Sequence, residues 1–547
     1  MKTLLVGINS KYVHTNLAIR NIKAYCNDDD IYIYEATIND NVDEILDDII
    51  MEKADVIGFS CYIWNTDLIL ELSQNIKKVM PETKVVLGGP EVTYDAKNLL
   101  IQNPYIDFII MGEGEDRFCK LFNVLNNSMQ GFEKIDGLAF RDGANIKTTS
   151  PEGFMDLNEI PMSYEQSEDL ENKLVYYETS RGCPFNCAFC ISSIEKGVRF
   201  SSLSKIEKDL LFFVKKGVRV VKLVDRSFNC NRGRAIKIFD IIRRLGKDTI
   251  FHCEINPELV DEEFAKSLDE IKERLQFEVG VQTVNLEALK AINRTTNVEK
   301  TLKGIEILKK AGVKLHVDLI AGLPYEDFES FSHSFDKVFN LYPEEIQLGF
   351  LKLLKGTSIR KRADKYGIVY RSKAPYEILY NDWISYEELS ILKGIARLVD
   401  KYYNDGRFYH SLTFLLKFFD RPFELFYSLN NFFIKNDVYK RNHSLKARYD
   451  LLFKFGVSLG IDEELLRDYI NFDYRYFNGK SGGNLTCSRK VNMKALWQRA
   501  SQYIYDEEWV QKNLPIAANL SGNEISKYIT AQAFEHDIPE STEIKKI

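Results

Sequence analysis

Three cysteines stand close together at positions 183, 187 and 190, in the run Cys183-Pro-Phe-Asn-Cys187-Ala-Phe189-Cys190. Thiolates are what iron and other soft metals prefer, and this spacing lets one short loop wrap three corners of an iron–sulfur cluster. Four-iron clusters normally take four protein ligands, so three leave one iron open to a small molecule. A closed zinc site wants four ligands, commonly as two short-spaced pairs, and no second pair follows; zinc and unrelated buried thiols stand as the alternatives. The other six of the nine cysteines are scattered, and the count favours free thiols and metal ligands over a disulfide framework. Cys230 and Cys487 are further candidates as proton or hydrogen-atom donors, against the plainer reading of inert thiols.

A cluster loop needs a scaffold, and strand-like runs alternate with helical ones on both sides of it. Residues 4–8, 31–35, 56–60, 85–87 and 108–111 have strand character, with amphipathic stretches such as 66–79 between them. This predicts a Rossmann-like, doubly wound parallel sheet over residues 1–125. Residues 126–170 are less regular and predict a linker with a small hairpin around 138–147. Over 171–360 six more strands, 174–179, 218–224, 250–255, 277–281, 315–320 and 346–351, predict a partial (β/α)6 barrel of the TIM type. Its chemistry would sit at the carboxyl ends of the strands. From 361 to 547 the pattern turns to aromatic-rich helical segments, read as a mainly α-helical domain whose Phe and Leu stripes are core. Within it, the polar run 481–490 is a candidate flap over the active site.

Polar and glycine residues gather at the strand ends. The third, fourth and fifth strands lead into Phe-Ser60-Cys-Tyr-Ile-Trp64-Asn, Leu-Gly88-Gly89-Pro-Glu91-Val-Thr and Met-Gly112-Glu113-Gly114-Glu-Asp. Glycines there let backbone approach a flat or anionic ligand, though each is also an ordinary turn. In the barrel, Asp225 and Arg226 end the second strand and Glu254 the third, while Glu278 and Gln282 share one face of the fourth by alternation. The plainer reading of each acid is a helix cap or a partner for lysine. No G-x-G-x-x-G follows the first strand and no P-loop occurs, which disfavours a dinucleotide or nucleotide-hydrolysis site.

The whole chain sets outer bounds. Its 73 basic and 80 acidic residues, net charge −7, are interleaved rather than gathered, so nucleic acid binding is not indicated. No run approaches the ~20 apolar residues of a membrane helix. The start lacks the pattern of a secretory signal, and a cytoplasmic protein is expected.

The CxxxCxxC run after the first strand of a partial barrel, with Phe189 before the last cysteine, resembles the signature of the radical S-adenosylmethionine (SAM) superfamily. Preceded by the three glycine-bearing strand ends, and by Asn9-Ser10-Lys11-Tyr12 with His14, it is similar to the cobalamin-dependent class of that superfamily over roughly residues 1–360. The remainder resembles the uncharacterised domain that accompanies many members. The resemblance implies a [4Fe-4S] cluster on Cys183, Cys187 and Cys190 whose open iron chelates SAM. Reduced by a donor such as flavodoxin or ferredoxin, the cluster would cleave SAM to a 5′-deoxyadenosyl radical. It implies SAM contacts from Phe189, Asp225, Arg226, Glu254, Glu278, Gln282 and Ile320, the last opening the Ile-Ala-Gly-Leu-Pro turn near the adenine. It implies cobalamin contacts from Asn9, Ser10, Tyr12, Ser60, Trp64, Gly88, Gly89, Glu91, Gly112, Glu113 and Gly114. Two departures stand out. Val-Asp225-Arg226-Ser-Phe-Asn replaces the common Gly-Gly-Glu, and the Asp-x-His-x-x-Gly motif of histidine-ligated cobalamin is missing. Cobalamin is therefore expected without histidine on cobalt, with Trp64 a candidate cover for its lower face. The implied activity is methylation of an unactivated carbon in a small-molecule or peptide substrate. The alternatives are a radical cyclisation or rearrangement, or a non-catalytic cobalamin or iron–sulfur sensor.

Overall fold

The first strand, β1 (Thr3–Asn9), is buried along its whole length, as a central parallel strand covered on both faces must be. The computed structural model describes residues 1–478, apart from 128, 129, 144, 168, 169, 195 and 247, together with 485–488. They form two compact units, Met1–Asp327 with Phe350–Ser385, and Phe328–Gly349 with the chain from Tyr386 onward.

In the first unit, β1 lies between β2 (Ile31–Thr37) and β3 (Val56–Ser60), followed by β4 (Lys84–Gly88) and β5 (Phe108–Ile110), all parallel. Alternation sends Leu4, Val6 and Ile8 to one face, against Ile45, Ile49, Ile69 and Leu72 of helices Val42–Met51 and Thr66–Val79. Leu5 goes to the other, against Ile19 and Phe118 of helices Leu17–Cys26 and Glu115–Asn127. The sequence-predicted hairpin forms as β6 (Leu138–Asp142) and β7 (Asn145–Thr148), and it pairs antiparallel onto β5, extending this sheet to seven strands. One expectation fails. Cys26 and Cys119 are joined by a disulfide across 93 residues of sequence, because the two helices that carry them pack side by side on the same sheet face.

The barrel strands of this unit are β8 (Leu174–Tyr177), β11 (Val220–Leu223), β12 (Ile250–Ile255), β13 (Leu275–Gln282) and β14 (Lys314–Ala321), paired parallel in that order. Between β8 and β11 a short antiparallel pair, β9 (Ser180–Cys183) and β10 (Gly197–Phe200), closes the base of the cysteine loop. The sixth predicted strand, β15 (Glu345–Phe350), also forms; all but its last residue fall in the second unit.

The described part of the second unit is mainly helical: Phe328–Phe339, Tyr386–Leu398, Tyr409–Leu416, Pro422–Lys435, Leu445–Ser458 and Glu463–Asn478. Its aromatic stripes are core, with Phe335, Phe423, Phe426, Tyr449 and Phe455 buried. The fully buried Asp473 accepts from the backbone N–H groups of His410 (3.2 Å) and Ser411 (2.7 Å), satisfying the start of helix Tyr409–Leu416. Among the described residues no helix is long and apolar enough to cross a membrane.

Candidate functional site

The cysteine loop is fixed from below. Asp225, just past β11, accepts from the Thr179 backbone (3.1 Å), the Thr179 hydroxyl (2.7 Å) and the Ser180 hydroxyl, so it anchors the entry to β9. Both its oxygens are engaged there, so this residue, expected from sequence as a cofactor contact, tethers the loop. Gly182 has φ +97°, and a Cβ there would lie 2.2 Å from the Gly197 carbonyl oxygen, so the close β9–β10 crossing requires glycine. Beyond it the Ala188 N–H donates to the Ile292 carbonyl (2.7 Å), and the Ala188 carbonyl accepts from Ile359 (3.0 Å).

Burial pushes the Cys183 thiol up to about 11, with Cys190, Cys187 and Cys230 nearby adding to the rise. Burial also raises Cys187, against a hydrogen bond from Arg294. Metal binding must therefore displace protons from these sulfurs. Among the described residues no three His, Cys, Asp or Glu side chains converge on a single-ion site. Three soft thiolates on one short loop are the donor set that an iron–sulfur cluster takes. Phe189 is half-buried between the last two of them, and Cys230 is near enough to act on Cys183 electrostatically. Cys487 lies in the second unit, where its sulfur is 4.0 Å from Asn471 Nδ2; most of the polar run 481–490 is outside the described residues.

The barrel interior is charged. Lys222 of β11, His252 and Glu254 of β12, Glu278 of β13, and His316 and Asp318 of β14 occupy the inward positions of strands whose alternate residues are buried. Register sets Lys222 beside His252, Glu254 beside Glu278, and Glu278 beside His316. Glu278 accepts from Lys222 Nζ (2.8 Å) and His252 Nε2 (3.1 Å). Burial alone would raise its carboxyl, but these two partners hold it well below the usual carboxylate range. Burial raises Glu254, whose charged partner is Arg226 at 3.8 Å. Burial likewise pushes Asp318 up to about 8, with the charges of Glu278 and Glu254 adding. Its Oδ1 lies 3.3 Å from His316 Nε2 but out of line for a hydrogen bond. Gln282 sits at a bulge with φ +71°, its Oε1 buried without a hydrogen-bond partner. Ile320 shares the inward face of β14. Sequence reading found Glu254 and Glu278 but missed Lys222, His252, His316 and Asp318. Their signal is the alternation within Phe-His252-Cys-Glu254-Ile and His316-Val-Asp318-Leu-Ile320, polar residues at every second position of apolar strands.

The ends of β3, β4 and β5 face a cavity of about 550 Å³ and a narrower slot of about 110 Å³. Asn9, Ser10, Trp64, Gly89, Gly112 and Glu113 line the cavity, as do Gly182, Ile191 and Ser192, which bracket the three cysteines. Ser60, Gly88, Gly89, Gly112 and Gly114 line the slot with Leu5, Ile19 and Phe118. A Cβ at Gly58 would lie 2.9 Å from Leu5 Cδ2 and 3.2 Å from Phe118, so the slot stays open because β3 lacks a side chain there. A flat, bulky cofactor with an extended tail fits this pair of spaces. Trp64 stacks on Tyr62, centroids 4.5 Å apart, and donates to the Ile8 carbonyl (3.2 Å). His14 also lines the cavity, its Nδ1 engaged by the Ser10 hydroxyl at 2.9 Å.

Three expected cofactor contacts are otherwise occupied. Tyr12 is exposed beneath Lys173, whose Nζ is 3.5 Å from its ring centre, and lines neither space. Glu91 is buried and held by Lys355 (3.1 Å) and the Tyr376 hydroxyl. Glu113 reaches the cavity but pairs with Arg199. Its neighbour Glu115, which sequence reading passed over, accepts from Arg181 at 2.7 Å.

Three family models match the chain: the B12 binding domain over residues 3–122, the radical SAM superfamily over 177–338, and a protein of unknown function, DUF4080, over 364–547. An uncharacterized methyltransferase of Pyrococcus horikoshii is 26% identical over 290 residues, 50% of this chain and 62% of that protein. The 2-(S-pantetheinyl)-carbapenam-3-carboxylate methyltransferase of Streptantibioticus cattleyicolor is 26% identical over 306 residues, 51% of this chain and 44% of that protein. The match thus spans less than two thirds of either relative. Among solved structures, the cobalamin-dependent S-adenosylmethionine radical enzyme OxsB, with aqua-cobalamin and S-adenosylmethionine bound, has a TM-score of 0.61 at 13% identity, covering 98% of this chain and 84% of that one. That likeness is one of fold.

Proposed function

Because the chain joins a B12 binding domain, a radical SAM domain and a carboxy-terminal domain of unknown function, we propose that it is a cobalamin-dependent radical SAM methyltransferase acting on an unactivated carbon. The observation that carries this reading is one shared cavity, lined on one side by the glycine strand ends Gly89 and Gly112 and on the other by Gly182, Ile191 and Ser192, which bracket the three thiols. When bound, SAM at the cluster supplies a 5′-deoxyadenosyl radical on one-electron reduction, and cobalamin supplies a methyl carrier.

The residues divide the remaining work. Cys183, Cys187 and Cys190 hold the cluster, and Asp225 fixes the loop that carries them. Glycines along β3, β4 and β5 admit the cofactor tail, and Trp64 with Tyr62 offers a flat aromatic floor. In the barrel, Glu278 stays ionised through Lys222 and His252, while Asp318 Oδ1 and Gln282 Oε1 remain buried without hydrogen-bond partners and are disposed to accept from SAM or substrate. A low-potential one-electron donor such as flavodoxin or ferredoxin feeds the cluster. Two relatives named as methyltransferases support methylation.

Anaerobically reconstituted protein, given dithionite, hydroxocobalamin and methyl-labelled SAM, should form 5′-deoxyadenosine and pass label to a candidate substrate. Replacing all three cysteines with Ala should reduce bound iron and deoxyadenosine to background. Deoxyadenosine with a product of unchanged mass would replace methylation with rearrangement. No deoxyadenosine from iron-loaded protein would leave a sensor.

A further inference from the structure

The loop after β5 does two things at once. Gly112 and Gly114 line the cavity and slot, and Glu113 and Glu115, which with Arg181 also line the cavity, pair with the strands that hold the cysteine loop. Arg181 of β9, two residues before Cys183, donates to Glu115 Oε1 (2.7 Å) and Oε2 (3.3 Å), and to Glu178 Oε1 (2.9 Å) and Oε2 (2.8 Å). Glu113 lies 3.5 Å from the same guanidinium and grips Arg199 of β10. Arg181 and Arg199 are cross-strand partners in the β9–β10 pair. Glu115 also accepts from Asn21 (3.3 Å) of helix Leu17–Cys26, whose Ala18, Ile19 and Ile22 wall the slot. The Glu115 and Arg181 side chains are only 6% and 17% exposed, so water screens this network weakly and a displaced partner is costly.

Resting on the function proposed above, we infer that Arg181 and Arg199 are positioning residues that couple cobalamin occupancy to the order of the cluster loop. The glycine loop cannot move to accept a cofactor without moving Glu113 and Glu115, and these carboxylates hold both strands at the base of that loop. Planar guanidinium bonded to two carboxylates fixes orientation as well as distance, which lysine at 181 cannot reproduce. Coupling of this kind is reciprocal. Cobalamin tightens the cysteine loop, and a loaded cluster tightens cobalamin by the same factor.

The test uses full-length protein. Hydroxocobalamin titrated into cluster-loaded and cluster-free protein should give dissociation constants differing about fivefold or more, the low end of ordinary site-to-site coupling. Amide exchange across residues 178–200 of cluster-free protein should slow on adding hydroxocobalamin alone. Arg181→Lys should bring the ratio of constants to within about twofold. Arg199→Gln, at a residue that lines neither space, should still bind hydroxocobalamin but lose most of the exchange protection. Equal constants in wild type with binding intact, or full protection retained in Arg199→Gln, would overturn the coupling and leave the proposed function standing. Failure of wild type to bind hydroxocobalamin at all would overturn both.

Discussion

In the amino-terminal sheet the slot at the strand ends is lined by five glycines, Gly58, Gly88, Gly89, Gly112 and Gly114, among apolar neighbours such as Leu5, Ile19 and Phe118. In the barrel the inward positions are Lys222, His252, Glu254, Glu278, His316 and Asp318. Both are parallel sheets joined by helices. The first is covered on both faces, so its slot is room that missing side chains leave, and a ligand there meets mainly backbone and apolar walls. The second encloses its inner face, so side chains can point into a shielded space where charges act strongly on one another. One architecture thus yields a shape-matched berth in one sheet and an electrostatic chamber in the other.

The sharpest way to break this contrast is to remove the one lysine of the chamber. Lys222→Met leaves Glu278, under a quarter exposed, with His252 as its remaining hydrogen-bond partner. Stripping one member from a buried pair should destabilise cluster-free protein by about 3 kcal/mol in denaturant unfolding. Lys222→Met with Glu278→Gln should recover most of that loss. A cost below about 1 kcal/mol would make the pair equivalent to a surface ion pair, and the chamber no drier than the surface. The berth is tested by shape. Gly58→Val places carbon against Leu5 and Phe118, and it should weaken hydroxocobalamin binding roughly tenfold, since overpacking costs about 1–3 kcal/mol. Iron loading should be unchanged. Equal binding would show that the slot does not take the cofactor.

Local pattern carried much of this into the sequence. The run of strand-like segments was legible because buried parallel strands read as apolar runs, and the cluster because three cysteines fall within eight residues. Glu254 and Glu278 stood out as acids on strands, whereas Lys222, His252, His316 and Asp318 are visible only once each strand's inward phase is known. What pairs across the fold was not legible. Arg181 meets Glu115 over 66 residues of sequence, and Cys26 meets Cys119 over 93. Nothing near Asp225 in sequence says that Thr179 and Ser180 will occupy its carboxylate. Such partners are decided by which loops the sheet order brings together.

The smallest effect separates two neighbouring carboxyls of the chamber by sign. Glu278 is held below its ordinary range, so the stability it adds is complete above about pH 4.3 and is lost only as pH falls through its lower folded value. Asp318 is raised to about 8 by burial, so between its ordinary value of about 3.9 and 8 the folded protein keeps a proton that the unfolded chain has released. Over that window its contribution to stability falls as pH rises, by at most about 1.4 kcal/mol per unit. Asp318→Asn cannot ionise and should lose that fall. The neighbouring His252 and His316 are present in both proteins. Unfolding free energies of cluster-free protein should therefore shift in favour of Asp318→Asn by about 1 kcal/mol between pH 6 and pH 8, discounted for partial exposure. A difference that stays level would mean Asp318 is already ionised at pH 6, as it would be if water reached the barrel interior as freely as it reaches the rim.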